Sequence, residues 1–148
     1  MEFDGQAMLM VFRRSWRPAA AGAILLAIGG FALAHAQSGG STPRALAGLE
    51  KGQWELKPVE GGPARKLCLT NPNALIQLEH AQAQCSQVVM DNTATSVTVR
   101  YTCPGHGHGR TTVSVETPRL ANIETQGVVD GMPFADQFEG RRTGACTG

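Results

Sequence analysis

The sequence predicts a mainly β domain: an antiparallel meander forming a strongly curved sheet or small barrel with one short helix, stapled by two disulfides. Three observations carry that reading. Short β-branched segments of period two recur through the second half, with turn signals at roughly eight- to twelve-residue spacing. Four cysteines, Cys68, Cys85, Cys103 and Cys146, all lie beyond an export leader. Helix-start signals stand before one stretch, at Asn71-Pro72.

The elements follow in order. Arg13, Arg14 and Arg17 precede an apolar run from Ala19 to Ala34 that ends in the small-x-small triplet Ala34-His35-Ala36. That layout is the one a signal peptidase reads. The run is broken by Gly22, Gly29 and Gly30 and falls short of the roughly 20 apolar residues that span a bilayer. Residues 1–36 therefore read as a signal peptide cleaved after Ala36, leaving no stable membrane anchor. Residues 37–48 open on a Ser-Gly-Gly-Ser-Thr-Pro stretch without apolar period and read as a flexible linker. Residues 49–148 read as one domain.

From Lys51 onward Trp54, Leu56 and Pro58 alternate with Glu55 and Lys57, and Glu60-Gly61-Gly62-Pro63 supplies a turn before Arg65 to Leu69. That pattern predicts a hairpin. Asn71 can cap, Pro72 suits a first turn, and Leu75 and Leu78 share a face, so the spacing predicts a helix over 72–82. Ser86 to Met90 and Thr95 to Thr102 read as strands, the second with Val97, Val99 and Tyr101 on one face. Pro104 to Gly109 reads as a turn. Arg110 to Thr117, with Val113 and Val115 inward, then Arg119 to Gln126 and Phe134 to Thr143 complete the set, residues 127–133 separating the last two.

Composition narrows the function. Without the leader, basic and acidic side chains are equal in number, so nucleic acid and acidic membrane are poor partners. Four aromatic side chains remain, Trp54, Tyr101, Phe134 and Phe138. A core that thin gains from covalent staples.

Gly52-x-Trp54-Glu55, Lys66-Leu67-Cys68-Leu69, Cys85, Tyr101-Thr102-Cys103-Pro104-Gly105 and Glu139-Gly140-Arg141-Arg142-x-Gly144-x-Cys146 occur in that order. In this the chain resembles the bacterial envelope family catalogued as domain of unknown function 3617, over roughly Leu49 to Gly148. The resemblance implies a small exported protein of Gram-negative bacteria, placed in the periplasm, and carries over no functional residue.

Four cysteines allow three pairings. Cys68–Cys85 would clamp the helix and Cys103–Cys146 would tie the last strand back, and this sequential pairing is preferred. The rival, Cys85–Cys103 with Cys68–Cys146, sets Val89 against Val99 across the hairpin near Ala94. A one-residue slip, Val88 against Val99, would bury more apolar surface but separate Cys85 from Cys103.

Two candidate sites remain. Trp54, Tyr101 and Phe138 would line an apolar ligand pocket if the sheet curves far enough. His106 and His108, two apart in a glycine-rich stretch, would point the same way on an extended loop and could share a metal ion with a third ligand. Arg141-Arg142 could grip an anion. Asp136 and Glu139, three apart on a strand, cannot act as a paired acid and base there. Ser86, Ser96 and Ser114 lack a nucleophile elbow. The sequence thus reads as non-enzymatic and cofactor-free, an exported domain binding an apolar small molecule or an envelope protein. Metal binding through His106 and His108 is the alternative.

Overall fold

The computed structural model describes residues 41–147; the signal peptide expected over residues 1–36, the first part of the expected linker and Gly148 lie outside the described residues. Seven antiparallel strands form one sheet: β1 (Gly52–Pro58), β2 (Arg65–Leu69), β3 (Ser86–Asn92), β4 (Ser96–Cys103), β5 (Gly107–Thr117), β6 (Leu120–Val129) and β7 (Met132–Gly144). Their order is β2-β1-β7-β6-β5-β4-β3. β3 to β7 are successive hairpins. β1 then docks on the last strand, Glu55 against Arg141 and Leu56 against Gly140, and β2 lies outside it. The expected meander is present. It is an open sheet whose edges are β2 and β3, not a closed barrel.

The later strands run longer than the sequence pattern suggests, because the turns between them are tight. Asp130 and Gly131, with φ of 49° and 84°, make a two-residue turn, so β6 and β7 pair as far as Val129 with Met132. Both residues tolerate positive φ, which is what a hairpin of right-handed twist requires. The separator expected over residues 127–133 is therefore mostly strand. Likewise β5 begins at Gly107, opposite Cys103, and the turn before it is only Pro104-Gly105-His106.

One face of the sheet carries the core: Trp54 and Leu56 from β1, Val97, Val99 and Tyr101 from β4, Val113 from β5, Ile123 from β6 and Phe138 from β7 are buried. The period-two reading of Val97, Val99 and Tyr101 holds. Gly109 on β5 lies beneath the Tyr101 side chain, where a Cβ would collide with the ring. The opposite face is polar, with Thr98, Arg100, Arg110, Thr112 and Glu124 at the alternate positions.

The segment between β2 and β3 must pass from one edge of the sheet to the other, and it covers the core on the way. It does so without the α-helix expected over 72–82. Two 3-10 turns, Pro72–Leu75 and Leu78–His80, stand in its place. The cap was legible: the Asn71 side chain accepts a hydrogen bond from the Asn73 amide, and Pro72 follows it. The turn ends where Gln77 leaves the helical region at φ −125°, ψ 49°, and the Ile76 carbonyl accepts from the Thr111 hydroxyl at 2.6 Å. Leu75 and Ile76, adjacent in sequence, are both buried in the core.

A second correction concerns the linker. Residues 43–49 are packed, with Ala45, Leu46 and Leu49 buried in the core and a 3-10 turn over Leu46–Gly48. Leu46 and Leu49 eclipse one another at three-residue spacing, so both reach the same apolar surface.

Candidate functional site

The cysteines pair as Cys85–Cys103 and Cys68–Cys146. This overturns the sequential pairing Cys68–Cys85 with Cys103–Cys146. The reason lies in β3. Ser86 pairs with Thr102 and Val89 with Val99, a register that sets Cys85 directly against Cys103. The apolar gain that argued for a slipped register does not exist, because every β3 residue is exposed. Cys146, just past the end of β7, instead reaches β2, whose Cys68 lies opposite Gln53 while Gln53 lies opposite Gly144. Both cystines therefore sit at strand ends, one at each edge of the sheet, and no free thiol remains among the described residues.

Trp54, Tyr101 and Phe138 do not frame a ligand pocket. All three are filled core, at 0%, 1% and 2% exposure. The Trp54 indole donates to the Glu50 carbonyl at 2.9 Å. Tyr101 joins a buried polar group that the sequence did not signal. The Nε2 of His80 lies 3.2 Å from the His106 carbonyl, which only accepts, so that nitrogen carries the proton. Nδ1 then accepts from the Tyr101 hydroxyl at 3.3 Å. Burial pushes the Tyr101 hydroxyl above its usual pKa, the Glu79 carboxylate adds to the rise, and the Thr125 and Thr111 hydroxyls oppose it.

His106 and His108 do not act as a pair. His106 stays in the turn, with Nδ1 3.3 Å from Asp130, while His108 stands on β5 opposite Thr102 and Val128. Strand alternation fails for them because the pleat starts only at Gly107. They line separate clefts, and no group of three His, Cys, Asp or Glu side chains with metal-holding geometry occurs among the described residues. The other charged candidates are engaged: Arg141 with Glu139 at 2.7 Å, and Arg142 with Glu50 at 3.5 Å and the Lys51 carbonyl at 2.8 Å.

A different place has the shape for a ligand. Between the β2 edge and the crossover lies a cleft of about 410 Å³ walled by Leu56, Leu67, Ala74, Leu78 and Ala81. Arg65, Lys66 and Gln77 also line it, together with the amide side chains of Asn71, Asn73 and Gln87. Arg65 is fixed from two sides, by Glu79 at 2.6 Å and by stacking 4.8 Å above the Phe138 ring. Lys66 has no ion-pair partner among the described residues. Apolar side chains interspersed with amides and cations line a volume in the range of small-molecule pockets. The sequence held no signal for it, since two strands and a crossover contribute and only the fold brings them together.

A family model, described as "Protein of unknown function (DUF3617)", matches residues 49–146. The chain belongs to this family. The matched span of this DUF3617 domain takes in all seven strands and all four half-cystines, ending at Cys146. No curated protein and no solved structure is detectably similar to the chain.

Proposed function

We propose that this protein is an exported, non-catalytic binding domain of the cell envelope, holding a small apolar molecule with an anionic end in the cleft beside β2. The cleft carries the reading: its leucine and alanine side chains suit a hydrocarbon or aromatic body, and Lys66 and Arg65 among its lining suit the charge. The core supports this placement indirectly, because Trp54, Tyr101 and Phe138 leave no room among themselves. Two cystines suit the oxidising periplasm, and the leader supplies the route. His80 and Tyr101, buried and hydrogen-bonded to each other, do not line this cleft.

The test is titration with anilinonaphthalene sulfonate, an apolar fluorophore bearing one anion. Saturable one-site binding is expected for the wild type. Ala81→Trp fills the cleft from an exposed position and should weaken binding at least about tenfold, a loss of roughly 1.4 kcal/mol. Ala135→Trp, on the polar face, should leave it unchanged. Equal binding by the two variants, or none by the wild type, would remove this reading.

A further inference from the structure

The two edges of the sheet are guarded unequally. β2 is short, carries Arg65 and Lys66, and is crossed at one end by the cystine to Cys146. Charge on an edge and a covering connection are devices that prevent strand addition. β3 has neither in its middle. Val88, Val89 and Met90 are consecutive and 61%, 50% and 51% exposed, on a strand whose outer side has no partner among the described residues. Exposed apolar residues in a row on a free edge form a template for another strand.

The pattern of β3 states which strand fits. Ser86-Gln87-Val88-Val89-Met90-Asp91-Asn92 reads the same in hydropathy from either end, two polar residues flanking three apolar ones on both sides of Val89. We infer that β3 pairs antiparallel with β3 of a second copy of this chain, about a two-fold axis at Val89. Val89 then faces Val89 of the second copy and Val88 faces its Met90. The contact of Arg100 with the Met90 sulfur places Met90 on the face shared by Arg100 and by Val88 opposite it, so Val88 and Met90 meet on the same side. Asp91 is the only charged residue of the strand, and this arrangement puts the two carboxylates at opposite ends of the shared ladder. Parallel pairing would place them side by side, at a cost. A β3-to-β2 contact would add copies without closing, and Arg65 and Lys66 oppose it, whereas the two-fold contact closes at two.

The association is weak. One shared strand buries less than the roughly 1,200 Å² of a standard interface, and the bulge at Met90, where the register to β4 shifts, shortens the regular ladder. A concentration-dependent dimer follows.

Sedimentation velocity from about 10 µM to about 1 mM should show monomer passing to dimer and nothing larger. Val89→Lys, at an exposed position that leaves the core intact, sets two ammonium groups together on the axis and should keep the chain monomeric throughout. The axis itself is read by Val89→Cys. Its sulfur meets its own copy, and under mild oxidation it should form a covalent dimer at least tenfold faster than Val59→Cys, at a valine off the strand that is more exposed still, 64% against 50%. A wild type monomeric at every concentration, growth beyond dimer, or equal cross-linking by the two cysteine variants would overturn the proposal.

Discussion

At the scale of single residues, Tyr101 connects burial to a measurable titration. It is the only tyrosine in the chain, so phenolate absorbance reports it alone. Its raised pKa means that the folded state holds the phenolic proton more tightly than the unfolded state, whose value is about 10. The contribution to stability is thus complete below about pH 10 and is lost as pH rises through the folded value. Alkaline titration should show no phenolate until above about pH 10, with its appearance coinciding with loss of the near-ultraviolet dichroism. Tyr101→Phe should remove that pH dependence. A phenolate that forms near pH 10 in a protein still folded would refute the burial argument. His80, held between Tyr101 and the His106 carbonyl, gave no warning in the sequence. A histidine in a polar stretch is ordinarily solvated, and only the crossover carries this one inward.

At the scale of elements, the cystines and the edges decide what the sheet can do. Cys85–Cys103 closes a short loop, of separation 18, across one hairpin, whereas Cys68–Cys146 joins residues 78 apart. On the chain-entropy account these contribute about 3 and about 4.5 kcal/mol. Replacing Cys68 and Cys146 together by serine should therefore lower stability more than the same change at Cys85 and Cys103, by about 1 kcal/mol in urea unfolding. The reverse order would show that the long loop is already restricted in the unfolded chain. Peptide mapping of the unreduced protein should recover Cys85 with Cys103. The helix expected over 72–82 fails at this scale too. Its cap and its apolar spacing were both present at Asn71, Pro72, Leu75 and Leu78, but Gln77 leaves the helical region, and the Ile76 carbonyl accepts from Thr111 on a strand remote in sequence.

At the scale of the whole molecule, the core depends on segments far apart in the chain. Leu46, ahead of the first strand, is fully buried with the residues of the sheet face. Leu46→Ala should cost about 2 to 5 kcal/mol by urea unfolding, as a buried leucine does. A cost under about 1 kcal/mol would mean that residues 43–49 are the loose tether their composition suggests. The β1–β7 pairing, which joins Gln53 to Gly144, is equally non-local and makes the first strand an interior one.

The sequence by itself determined the mainly β character, the hairpins, the inward faces of β1, β4 and β5, and the use of every cysteine in the domain for cross-links. Each of these rests on period two, turn residues or redox context, all local or compositional properties. The tertiary structure alone decided the cysteine partners, the sheet order, the loss of the helix and the placing of Trp54, Tyr101 and Phe138 in a filled core. It also decided the cleft beside β2 and the bare edge at β3. The physical reason is common to them: each depends on which distant segment covers which surface. Burial on β3 cannot be read from Val88-Val89-Met90, since identical side chains would be core if another element lay over them.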